Sequence, residues 1–237
     1  MTRRASAVAS TSVQRQSVQR QAFSRQEVLF LVGVPLAWAV LLLFHPGGEG
    51  QEIYLDVRDS VTSALVVHIG MMLFIPLMAV VVLLLLRGVE GTAALTSRIA
   101  LVPFVVFYSA WEALQGIGIG ILVDKVNELP EAERAAGADL IQAFAEDVLI
   151  ANPGVFGIIG SVGLITATIA AGIALRRNAG APLSVMILLG LSGFLIAAHP
   201  PPYGPIGLAL FVVAVLLFVR SHSGSPAPAA LGRPSPP

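Results

Sequence analysis

The sequence predicts an all-α fold, a polytopic transmembrane helix bundle, and three observations carry the prediction. The 237 residues are 56% apolar and only 12% charged, and the mean hydropathy of +0.84 lies far to the apolar side of an ordinary soluble domain. Six stretches, 28–44, 61–86, 99–123, 155–175, 182–199 and 204–219, approach the roughly 20 mostly apolar residues that a helix needs to cross the hydrocarbon. No stretch shows the alternation, about ten residues long, of an outer-membrane β-strand. In lipid the backbone must satisfy its own polar groups, so helices are the remaining architecture.

Charge placement sets the orientation. With the N-terminus in the cytoplasm and six membrane-spanning helices, only Arg58, Lys125 and Arg134 of the 14 basic residues face outside. The outer loops then collect most of the carboxylates, from Glu49, Glu52, Asp56 and Asp59 to Asp139, Glu146 and Asp147. The net charge of zero therefore conceals a steep asymmetry, and both termini are expected to be cytoplasmic, in a cell (plasma or inner) membrane.

Along the chain, residues 1–26 are rich in Ser, Gln and Arg, repeat SVQRQ at 12–16 and 17–21, and have too few apolar residues for a core. They read as a disordered basic tail. The first apolar stretch could pass for a signal peptide, but HPGGEG after Phe44 is a poor cleavage site, so the segment is expected to be retained. The transmembrane domain covers 27–221. Its longest connection contains a helix near 130–151, started by Pro130 with Glu131 and Glu133, ended by Asn152, Pro153 and Gly154, and lying on the outer surface or capping the bundle. Residues 222–237, including His222, form a Pro- and Ser-rich cytoplasmic tail. Pro35, Pro76 and Pro103 fall inside the first three spans, where neighbours can satisfy the freed carbonyls.

Gly154, Gly157, Gly160 and Gly163 recur every third residue, and Gly116, Gly118 and Gly120 cluster in the third span. Small residues let helix backbones approach closely in lipid; room for a flat cofactor is the alternative use of the same space.

Cysteine is absent, which removes disulfides, thiolate metal sites and cysteine nucleophiles. There is no Walker loop, no GxSxG and no GxGxxG followed by an acidic residue, so nucleotide and serine-hydrolase chemistry find no support, and neither does nucleic-acid binding. What stands out is a level of imidazoles. At about 1.5 Å per residue from the cytoplasmic end, His45 lies about 27 Å beyond Glu27, His68 about 28 Å above Arg87 and His199 about 25 Å beyond Pro182, with Glu112, counted from a boundary at Arg98, one turn lower at about 21 Å. Ionisable groups at such depth are costly and point to function. His45 and His199 each close an outward-running helix with His-Pro, a place where an imidazole can bond terminal carbonyls. His68 lies two turns inside its helix, and end-capping does not explain it.

The spacing of Tyr108, Glu112 and Gln115 puts them on one helical face, a polar stripe aimed into the bundle. Three imidazoles with a carboxylate suit a transition metal, zinc, iron or copper, held by His45, His68 and His199 with Glu112 as fourth ligand, outer-sphere acceptor or proton relay and Tyr108 and Gln115 behind. A pair of the histidines on haem b is the second form of that reading. A metal- or haem-dependent oxidoreductase or hydrolase, an accessory membrane subunit without a cofactor, and a small proton- or cation-coupled transporter using Glu112 are the three functional alternatives. Beyond the lipid bilayer, partner membrane subunits or further copies of the chain are the candidate partners.

Overall fold

The computed structural model describes residues 23–46 and 52–223, so most of the tail readings fall outside the described residues. Every regular element among the described residues is a helix. Helix α1 spans Arg25–Leu42 and begins two residues before the predicted boundary, because Ser24 and Glu27 form a capping box. The Ser24 side chain accepts from the Glu27 amide, and the Glu27 carboxylate accepts from the Ser24 amide, so two orphan donors of the first turn are satisfied. Glu27 also pairs with Arg87, tying the start of α1 to the chain just beyond α3.

A short helix, α2, covers Ile53–Val57, and α3 follows over Val61–Leu85. Helix α4, Thr92–Asn127, is 36 residues long. Then come α5, Glu131–Ala145, α6, Val155–Asn178, α7, Leu183–Ala197, and α8, Tyr203–Ser223. Five of these, α1, α3, α4, α6 and α8, are long and apolar enough to cross a membrane. The fifth predicted span, 182–199, corresponds to α7, whose 15 residues reach about 22 Å against roughly 30 Å of hydrocarbon. Leu29, Val66, Leu73, Val106, Val162, Leu191 and Phe194 are exposed on the outside of the bundle. Apolar side chains on the outer surface of long helices make this a membrane protein in contact with lipid.

The third span differs most from expectation, starting at Thr92 rather than 99 and ending at Asn127 rather than 123. Arg98 suggested a membrane boundary, yet it lies within the helix. Its guanidinium turns back to donate to the carbonyls of Leu86 at 2.9 Å and Val89 at 2.8 Å, capping the end of α3. Helical side chains lean toward the N-terminus of their helix, which carries this cation head well below its own Cα.

Helix α4 is also irregular, with π-helical turns at Phe104–Tyr108 and Glu112–Gly118. The first follows Pro103 directly, and wider turns are one way in which a membrane helix accommodates a missing backbone N–H.

Helix α6 packs on α4 through the glycine row. A Cβ on Gly160 would stand 2.6 Å from the Tyr108 backbone nitrogen, one on Gly163 2.7 Å from that of Phe104, and one on Gly157 3.2 Å from the Trp111 ring. Ser97 Oγ donates to the Ala167 carbonyl at 2.8 Å across the same interface. The row is thus taken up by helix contact, which leaves no slot there for a flat cofactor.

The distal end of α4 rises to meet α2 and α5, which make a small second core of Tyr54, Val61, Ile119, Val123 and Ile141. Tyr54 donates to Asn127 Oδ1 at 2.9 Å, and the Ile53 amide to Gln142 Oε1 at 3.3 Å. Helix α5 ends at Ala145, short of the predicted 151, because Asp147 accepts from the Leu149 amide at 2.9 Å and turns the chain before Pro153.

Candidate functional site

Three chain segments meet beside the second π-turn of α4. His45 comes from the turn after α1, His68 from inside α3, and His199 from the connection between α7 and α8. The ring centroids of His45 stand 5.0 Å from those of both His68 and His199, which are themselves 6.2 Å apart. Each pair meets edge to face.

Glu112 lies between two of the rings and is only 1% exposed. Its Oε2 is 2.7 Å from His68 Nδ1, and its Oε1 is 3.8 Å from His199 Nδ1. Taking a carboxylate out of water is costly, and this pairing offsets the cost.

The seat of His68 is set by Gly116. A Cβ at that position would fall 2.1 Å from His68 Nδ1, so a bare backbone is required for the imidazole to reach Glu112 one turn away. Gly204, in the first turn of α8, does the same for His199, since a Cβ there would meet the His199 carbonyl oxygen at 2.0 Å.

Tautomers follow from the partners. His45 Nδ1 stands 2.8 Å from the Pro46 carbonyl, which can only accept, so that nitrogen carries the proton. With Glu112 ionised, His68 Nδ1 donates to it in the same way. Tyr108 Oη lies 3.3 Å from the Ala197 carbonyl and 3.2 Å from His199 Nδ1. Its single proton goes to the carbonyl, and the oxygen accepts from the imidazole. Each histidine therefore has its Nδ1 engaged, while its Nε2 lone pair has no hydrogen-bond donor among the described residues. His45 Nε2 is buried and unpartnered, as are Glu112 Oε1 and Gln115 Oε1.

Gln115 Nε2 donates weakly to the Ala145 carbonyl at 3.4 Å, which leaves the side-chain oxygen as the free atom. Trp111, which the sequence reading did not single out, packs its ring 5.3 Å from that of His199 and donates its Nε1 to the Ile150 carbonyl at 2.8 Å. Its position next to Glu112 on the polar stripe was the available signal; for Gly116 it was the glycine cluster.

All six predicted site residues, His45, His68, Tyr108, Glu112, Gln115 and His199, thus lie in one neighbourhood. Glu112 is level with the histidines rather than a turn lower: counted from Thr92 instead of Arg98, it sits about 30 Å along the helix. As the side chains stand, however, no group of three or more His, Cys, Asp or Glu among the described residues is disposed to hold a metal ion. The residues surround a cavity of about 360 Å³, with Ile53, Val57, Ala64 and Ile119 as its apolar walls. Comparison with protein-family models, with curated proteins and with solved structures finds no match.

Proposed function

We propose that this integral membrane protein binds a transition metal at His45, His68 and His199, with Glu112 acting behind the ligands rather than as one of them. The observation that carries the reading is the set of three Nδ1 atoms, each bonded to a carbonyl, a carboxylate or a phenol. In protein metal centres the nitrogen remote from the metal is held in this way, which fixes the tautomer and raises the basicity of the other. The spacing fits as well. Imidazole nitrogens about 2 Å from a metal in tetrahedral array put ring centroids about 5 Å apart. Metal binding then requires the rings to turn out of edge-to-face contact so that the Nε2 atoms converge.

Zinc, iron and copper all accept such a set. Three imidazoles leave a coordination position open, and a metal held this way supplies Lewis acidity for hydrolysis or, for iron and copper, redox chemistry. Haem is the poorer occupant: His45 fills the space beside the other two rings, and the glycine row is closed by helix contact. The transport reading is weaker too. Below Glu112 the buried polar side chains are Ser97, Thr168 and Ser192, and each is already bonded to a helix carbonyl, so the described residues provide no polar path toward the other face.

The direct test is elemental analysis of protein purified without chelator. The expected result is about one zinc, iron or copper per chain, and a higher melting temperature with metal than after its removal, by mass action. A sample with none of the three, whose stability is indifferent to all of them, overturns the reading and leaves the accessory-subunit account in front.

The orientation that accompanies this proposal has both tails in the cytoplasm, the α2 and α5 roof outside and all six apolar helices crossing a cell membrane, with the bundle at 27–221 between tail segments. Single cysteines at Ser12 and Ser225 are expected to resist an impermeant thiol reagent in intact cells, whereas one at Ala138 reacts. Opposite behaviour of the two tails would mean an odd number of crossings, and labelling of both from outside would invert the arrangement.

A further inference from the structure

We infer that the cavity beside the histidines takes a small uncharged amphiphile, a short aliphatic chain ending in a hydrogen-bond donor such as a primary amide or an alcohol, and discriminates against the corresponding carboxylate. The inference deepens the metal-site reading and rests on it for the role of that molecule as substrate; the selectivity itself follows from the lining.

At about 360 Å³ the cavity is of small-molecule size. Its walls, Ile53, Val57, Ala64 and Ile119, are hydrocarbon, and the bare backbones of Gly116 and Gly120 complete one side. The Trp111 ring adds only apolar surface, because its N–H is spent on the carbonyls of Ile150 and Ala151.

Against these walls stand two buried oxygens that accept no hydrogen bond, Glu112 Oε1 and Gln115 Oε1. Both are acceptors. The amide is held in this sense because one N–H of Gln115 is directed at the Ala145 carbonyl, and turning it over would set oxygen against oxygen. Asn152, the other amide at the lining, is exposed at the mouth. An occupant that brings N–H or O–H satisfies the orphaned acceptors. One that brings a carboxylate sets acceptors against acceptors and leaves both oxygens unsatisfied.

The chain has 2 tryptophans, and Trp38 is buried away from the cavity, stacked on Phe74. In a Trp38→Phe background the fluorescence of Trp111 therefore reports occupancy. Hexanamide and hexanoate are titrated at pH 7 into full-length protein in lipid nanodiscs, both as purified and after chelator treatment, with metal content and thermal melts recorded alongside. The chelated arm decides selectivity, because no metal then attracts the carboxylate.

Hexanamide is expected to change the Trp111 signal, with hexanoate at least tenfold weaker. Gln115→Leu should weaken hexanamide about tenfold, the loss of one buried hydrogen bond, while Gln115→Glu, which keeps an acceptor, retains hexanamide and excludes hexanoate further. Equal binding of the two probes, indifference to Gln115→Leu in protein that melts normally, or no response up to the solubility of hexanamide overturns the inference. Selectivity in a protein that carries no metal would uphold the cavity assignment while sinking the metal reading. A bound metal without selectivity would do the reverse.

Discussion

Replacing His68 by alanine is expected to abolish metal occupancy. His68 is the one histidine of the cluster that lies well inside a helix, and its Nδ1 makes the 2.7 Å contact that secures the Glu112 carboxylate. The substitution removes a proposed ligand and strands a carboxylate that is 1% exposed. Breaking one side of a buried pair costs about 3 to 5 kcal/mol, so the alanine protein is expected to melt several degrees lower as well. His68→Gln separates the two effects. Its amide can still donate to Glu112, which should recover much of the stability, but it is no substitute for an imidazole on a transition metal. Elemental analysis and thermal melts of both variants provide the check; stoichiometric metal in the glutamine protein would remove His68 from the ligand set.

The second large effect is expected at Glu112→Gln. The amide is nearly isosteric and can keep a hydrogen bond to His68, so the melting temperature of the metal-free protein should change little, by about 1 kcal/mol of stability or less. Metal affinity should fall by about 10- to 100-fold, the usual consequence of losing an outer-sphere carboxylate that orients and polarises its histidine. Competition against a chelator of known affinity measures it. An unchanged metal affinity would make Glu112 a neutral hydrogen-bonding group and return the cluster to a structural role.

Much of the fold can be read from hydropathy alone, because a long apolar run in lipid has few alternatives to a helix. The elements that escaped such reading are those whose reason is tertiary. Helix α2 has 5 residues, too few for any periodicity, and exists through its contacts with Asn127 and Gln142. Counting from Arg98 misplaced α4, since a cation can lie far inside a helix when its head finds carbonyls elsewhere. The level of the three histidines came from counting residues, but their meeting depends on helix rotation and on the π-turn at Glu112–Gly118. Rotation is set by which backbones can touch, here by Gly116 against His68 and by Gly160 and Gly163 against α4. The glycine spacing signals that close contact occurs somewhere; it does not say with which neighbour.

The positions of the histidines along the chain have a consequence for biogenesis. Residues 45 and 68 belong to the opening third of the sequence, whereas 199 emerges only after the whole of α1 to α7 has been made. His199 is held between Tyr108 on α4 and the first turn of α8, where Gly204 abuts its carbonyl. A chain that stalls or is cut before residue 199 can insert α1, α3, α4 and α6 and hold only two of the three imidazoles, and one cut just after it lacks the α8 turn against which the His199 carbonyl packs. The cluster is thus completed only after most of the bundle has been made, and a truncated copy lingering in the bilayer presents an unfinished site.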